Sequence, residues 1–123
     1  MNRLDEMVQS AERESRTIFA LVKEKEALSM GKTEEEIVSA MEERYDVMLH
    51  VYKAGIVEEM RSVSGLTGGE GHRLMQYEEQ HRGGLYPRAA ARAMGIANVN
   101  ASMGRIVAAP TAGSCGILPA ALI

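Results

Sequence analysis

Aromatic residues are scarce in this sequence: there is no tryptophan, one phenylalanine, and 4% aromatics overall in 123 positions. A core must therefore come from Leu, Ile, Val, Ala and nine Met, a mixture that favours packed helices over a sheet. Cys115 is the single cysteine, which excludes an internal disulfide framework, and it cannot fill a cysteine-rich metal site alone. An excess of positive charge is missing too. The net charge is -3, so no basic footprint for nucleic acid exists. No basic segment leads into an apolar run at the N-terminus, and the expected compartment is the cytoplasm. Lysine occurs only at positions 23, 25, 32 and 53. The second half of the chain thus offers no amine for a pyridoxal phosphate Schiff base, and that cofactor is not expected. What is present, 46% hydrophobic and 25% charged residues, is an ordinary globular balance for a single domain.

Composition divides the chain in two. Residues 1–63 hold fourteen of the seventeen acidic residues and only two of the twelve glycines, Gly31 and Gly55. Residues 64–123 are mildly basic and hold the other ten glycines. The expectation is an all-α domain: a helical scaffold over 1–63, and a glycine-rich, site-bearing half over 64–123. Glycine-rich backbone turns tightly or lets something approach closely.

The first half reads as two helices. Leu4, Met7, Val8, Ala11, Ile18 and Val22 recur at three- and four-residue steps, with Asn2 and Asp5 at the start and Gly31 as the stop. Thr33 and Glu36 have the spacing of a capping box for the second. Its apolar stripe runs Ile37, Met41, Tyr45, Met48, Leu49, Tyr52 and reads as core, with Gly55 ending or kinking it. In the second half, helical composition spans His72 to His81 and stops at Gly83-Gly84. Pro87 suits the first turn of the next helix, an alanine-rich one reaching past Ile96. No charge follows Arg105, but Pro110, Gly113, Gly116 and Pro119 interrupt the eighteen uncharged residues and exclude a membrane span. Such an apolar ending needs a cover, so the sequence is expected to be a truncated part of a larger α domain.

Three features can carry chemistry. The run SGLTGGEG (64–71) precedes a helix, and its backbone N–H groups and hydroxyls suit an anion; it equally reads as an interhelical loop. It matches neither a P-loop nor a dinucleotide fingerprint. The run PTAGSCGILP (110–119) sets Cys115 between small residues, on a rigid loop that lets a partner approach the sulfur. Metal or cluster ligand, nucleophile, and buried structural thiol are all open to it. His50, His72 and His81 share no ligand spacing and read as structural.

The stretch NVNASMGRIVAAPTAGSCGILPA (98–120) closely resembles the α chain of the iron–sulfur-dependent L-serine dehydratases. SGLTGG (64–69) resembles that family's other glycine-rich signature, at a compatible distance upstream. The resemblance covers roughly the first half of such a chain. It implies an L-serine ammonia-lyase that yields pyruvate and ammonia, with a 4Fe-4S cluster as Lewis acid for the departing hydroxyl. It further implies that Cys115 is one cluster ligand and that Ser64, Thr67 and Gly68 grip the substrate carboxylate. Asn98, Asn100, Thr111 and Ser114 would line the site. The other cluster cysteines and a β chain or β domain are missing from these residues, so the fragment alone is expected to be inactive and the enzyme to be an oligomer. The alternative is a non-catalytic helical module, for subunit interaction or regulation, that docks a partner through its apolar C-terminal stretch.

Overall fold

A computed structural model describes residues 3–123. Among the described residues there are six α-helices and no strand: α1 (Leu4–Glu14), α2 (Ile18–Met30), α3 (Glu34–Val57), α4 (Glu70–His81), α5 (Leu85–Ala101) and α6 (Ile117–Leu122). A single 3-10 turn, Ala112–Ser114, precedes α6. The all-α expectation holds. Two compact units divide within α3, the first ending at Glu43 and the second starting at Arg44. The compositional boundary at residue 63 thus falls inside the second unit.

In the first unit the expected single helix up to Gly31 is two. Ser15 adopts the left-handed conformation (φ 51°), and the Arg16 N–H closes back onto the Ala11 carbonyl. Thr17 then restarts the chain, its hydroxyl accepting the Ala20 N–H at 3.1 Å. A polar run of five residues, Glu12 to Arg16, had nothing apolar to bury, so two caps outcompete one continuous helix. Asn2 lies outside the described residues; Arg3 occupies the N-cap of α1 without a side-chain hydrogen bond. Gly31 does end α2, with φ 63°. The Thr33–Glu36 capping box forms as expected: the Glu36 N–H donates to Thr33 Oγ1 at 3.2 Å, and the Thr33 N–H to Glu36 Oε2 at 2.8 Å. The strain at Ser15 is testable. Ser15→Gly is expected to stabilise the first unit by up to about 1 kcal/mol, read as a higher thermal midpoint, because glycine adopts the left-handed region freely.

The second unit is built on close backbone approach. α4 and α5 pack together along their lengths, and α6 returns onto α5. Gly71 of α4 and Gly55 of α3 both abut Gly95 of α5, so closely that a Cβ on either would collide with the Gly95 backbone. Of the two readings of Gly55, an end or a kink, the first does not hold: the helix runs on to Val57, and Gly55 lies inside it and admits α5. Gly116 meets the Ala93 carbonyl in the same way. Val51, Ile96, Val99 and Cys115 form the core cluster, with Val47, Tyr52, Ala54, Met60 and Ile106 packed around it. The buried face of α3 is thus Met48, Val51 and Gly55, whereas Met41 and Tyr45 of the expected stripe are exposed. No helix among the described residues is long and apolar enough to cross a membrane.

Candidate functional site

The last turn of α5 is where the two glycine-rich loops meet. The Ala101 carbonyl accepts the Val63 N–H at 3.0 Å, which fastens the segment carrying Ser64–Gly69. One residue earlier, Asn100 Nδ2 donates to the Ala112 carbonyl at 3.1 Å and fastens the Cys115 loop. Between them Asn98, buried, directs its amide at the start of α4. Its Oδ1 accepts the Gly71 N–H at 3.1 Å, and its Nδ2 donates to Glu70 Oε2. Residues 98, 100 and 101 hold three separate segments: Asn98 and Asn100 through their side-chain amides, and Ala101 through a carbonyl that the helix end leaves free.

The SGLTGG loop closes on itself as a small hairpin. The Ser62 N–H donates to the Thr67 carbonyl at 2.9 Å, and the Gly69 N–H to the Met60 carbonyl at 3.0 Å. Positive φ at Gly65 (74°), Gly68 (151°) and Gly69 (74°) makes that closure possible. The sequence reading expected free N–H donors here, and the structure corrects it. The Gly65 N–H donates to the Ser62 carbonyl, that of Thr67 to the Ser62 hydroxyl, and that of Gly68 to Glu70 Oε1. Gly68 therefore has its donor occupied by a carboxylate of its own chain. What the loop presents outward is hydroxyls: Ser64 and Thr67 are both exposed, and the Thr67 hydroxyl takes no part in the loop's internal bonds.

Glu70 escaped the sequence reading. Hydrogen bonds from the Gly68 N–H and from its own N–H, followed by the Asn98 amide and the charge of Arg73, hold its carboxyl below the usual carboxylate range. An acidic residue in the first turn after a glycine run is the signal that marks such a cap.

In the second loop the peptide between Ala109 and Pro110 is cis. The Ser114 hydroxyl donates to the Ala109 carbonyl at 3.1 Å and lies 3.0 Å from Thr111 Oγ1. Thr111 and Ser114 thereby serve the 3-10 turn that leads into Cys115. Cys115 itself is only 2% exposed, against Val51, Ile96 and Val99. Of the readings open to it, the buried thiol is the one this environment matches: the sulfur is sealed in the core, and burial pushes its thiol pKa up. The small residues around it admit a neighbouring helix, not an outside partner: Gly116 faces the Ala93 carbonyl.

A 4Fe-4S cluster takes four ligands, usually thiolates. Among the described residues no three His, Cys, Asp or Glu converge on a metal position, and Cys115 is one buried thiol among aliphatic side chains. The donor set within these residues does not fit such a cluster.

Two of the histidines are engaged by backbone carbonyls. His72 Nδ1 lies 2.7 Å from the Ile56 carbonyl, and His81 stacks on Tyr77 with Nδ1 2.8 Å from that residue's carbonyl. His50 is exposed. A cavity of about 800 Å³ lies by the far end of α4, lined by residues including Glu78, Arg82, Arg88 and Arg92. Glu78, 1% exposed, accepts from Arg88 Nε at 2.7 Å, and that contact draws its carboxyl below the usual range.

An all-α chain that ties two glycine-rich loops to one helix end is thus the frame in which relatives can be judged. The family model described as serine dehydratase alpha chain matches residues 13–123. The protein named L-serine dehydratase, alpha chain, of Peptoniphilus asaccharolyticus is 37% identical over 109 residues, covering 86% of this chain and 37% of the relative. The probable L-serine dehydratase, alpha chain, of Bacillus subtilis (strain 168) is 38% identical over 94 residues, 74% of this chain and 31% of the relative. No solved structure matches. This chain belongs to the serine dehydratase alpha chain family, and it spans about a third of the length of these curated relatives.

Proposed function

We propose that these residues form part of a cytoplasmic L-serine ammonia-lyase, which removes the hydroxyl and the α-proton of L-serine and releases pyruvate and ammonia. The observation that carries this reading is the joining of two loops, both inside the family match, at a single turn of α5. In it, Thr67 and Ser64 donate hydroxyl protons to the substrate carboxylate. Gly68 shapes the loop through its backbone, and its N–H stays with Glu70. Asn98 and Asn100 hold the two loops in register; Thr111 and Ser114 hold the turn before Cys115. The activity belongs to a longer α chain with a β partner, and the 123 residues alone are inactive.

Cys115 is proposed as one thiolate of a 4Fe-4S cluster, whose other ligands come from polypeptide beyond these residues. When bound, the cluster supplies a Lewis-acidic iron. Its loading asks the Cys115 sulfur to lose a proton and to leave an aliphatic environment, both of which burial opposes.

The test uses the complete α chain with its β partner, prepared anaerobically, with pyruvate formation from L-serine as the readout. Cys115→Ala is expected to lower turnover by more than about a hundredfold and to reduce cluster absorbance, since even changes behind a ligand cost 10–100-fold. Helical circular dichroism should persist. Normal turnover in Cys115→Ala would remove the cluster role. Thr67→Ala is expected to weaken L-serine binding while the absorbance stays; wild-type kinetics there would end the loop assignment.

A further inference from the structure

Among the described residues, the Glu70 carboxylate bridges the SGLTGG loop and α5. Oε1 accepts the Gly68 N–H at 3.0 Å, and Oε2 accepts from Asn98 Nδ2. The same Asn98 holds the Gly71 N–H, so both ends of the loop-to-helix junction are pinned to one amide. Gly68 and Gly69 sit at φ values that only glycine adopts readily, and the loop needs an external tie to favour this shape over the many others open to a glycine pair. Thr67 directly precedes the tied peptide. The Thr67–Gly68 peptide is held from both sides, its carbonyl by the Ser62 N–H at 2.9 Å and its N–H by Glu70, so the backbone from which the Thr67 side chain projects is fixed only while both ties hold.

A second tie comes from the far side. Arg73 Nη2 donates to the Gly68 carbonyl at 2.9 Å, so Gly68 is gripped at both its N–H and its C=O by residues of α4. The two grips differ in kind. Arg73 is half-exposed and lies 3.8 Å from Glu59, a loose surface pair. The Glu70 carboxylate instead meets a buried partner, Asn98, whose other atoms are already committed.

We infer that Glu70 is a positioning residue, which sets the direction of the Thr67 hydroxyl by clamping the Gly68 N–H against Asn98 of α5. This rests on the reading that the SGLTGG loop takes the substrate carboxylate. Glu70 acts through the loop and touches no substrate. Its loss therefore weakens the grip on L-serine and leaves the elimination step on bound substrate nearly unchanged.

The experiment is a double-mutant cycle in the complete enzyme, with Glu70→Ala, Thr67→Val and the pair. Glu70→Ala is expected to raise KM for L-serine about tenfold with little change in kcat, the size of one lost hydrogen-bond alignment. The pair should be no worse than Thr67→Val alone, because Glu70 works only through that hydroxyl. Losses that multiply would overturn the inference while leaving the loop assignment standing. An unaltered KM in Thr67→Val overturns the loop assignment itself, and the positioning role with it. Should Glu70→Ala not fold, Glu70→Gln replaces it. The glutamine keeps a carbonyl acceptor for Gly68 but sets an amide N–H₂ against the Asn98 amide. Hydrogen exchange at the Gly68 amide gives a readout independent of turnover: faster exchange is expected in either Glu70 variant, and wild-type protection would sink the clamp.

Discussion

Gly71→Ala is expected to destabilise the second unit by about 3 kcal/mol or more, at the upper end of what overpacking costs. Helix propensity alone says the opposite, since alanine is favoured over glycine inside a helix by about 1 kcal/mol. Contact decides the sign. A Cβ at position 71 meets the Gly95 backbone and lies 2.8 Å from the Ala91 carbonyl, and neither can turn aside as a flexible side chain does. Gly95→Ala and Gly55→Ala are expected to behave alike; a Cβ at 95 lies 2.9 Å from the Gly55 carbonyl carbon. For a unit of this size each kcal/mol moves the thermal midpoint by about 4–8 °C, so the shift is large. Gly113→Ala is the control: its Cβ meets nothing closer than Thr111 Oγ1 at 3.9 Å, and the midpoint should barely move. A Gly71→Ala protein as stable as the parent would mean that α4 and α5 do not cross this closely.

That crossing marks the division between what could be read in the sequence and what could not. The Thr33–Glu36 cap, the stop at Gly31 and the helix expected over His72–His81, which starts two residues earlier at Glu70, depend on residues within one turn of each other, and local pattern exposes them. Gly55 carries no such local mark. As a helix glycine it looks like a terminator, and only its partner forty residues on turns it into a contact. The stripe on α3 failed in part: Met41 lies in the first unit and Tyr45 only one residue inside the second, and both are exposed. The small residues around Cys115 left a reachable sulfur and a buried one both open. Gly116 makes room for α5, which is how the sulfur comes to be enclosed.

The site divides along the same line. The two loops were visible as glycine-rich runs, but their junction at Asn98–Ala101 of α5 was not, since it rests on contacts distant in sequence, the Asn98 amide alone reaching residues 27 and 28 positions earlier. Asn98 was expected to line the site. Its amide is instead fully committed to Glu70 and Gly71, which makes it the element that keeps a hydroxyl-presenting loop in place.

Asn98→Asp carries that reasoning to its largest consequence. The change keeps the shape of the side chain and an acceptor for the Gly71 N–H, but it replaces the amide donor facing Glu70 Oε2 with a second carboxylate. Two carboxylates sharing one position cannot both stay ionised without cost; one pKa of the pair rises. In the parent, Glu70 has a folded-state pKa below its unfolded value of about 4.5. Its contribution is therefore complete above that value and fades as pH falls through the lowered one. The variant reverses the sign. Its deficit is expected to be greatest at neutral pH and to shrink as the solution is acidified through the raised pKa of the pair, where the shared proton restores a hydrogen bond. Asn98→Leu supplies the comparison: it leaves the Gly71 N–H buried without an acceptor, at about 1–3 kcal/mol, and that loss does not depend on protonation of the replacement. Thermal midpoints of the three proteins across an acid-to-neutral series measure the difference. Parallel curves for Asn98→Asp and the parent would mean that Glu70 and the residue at 98 do not meet, and the clamp on Gly68 would then lack its anchor.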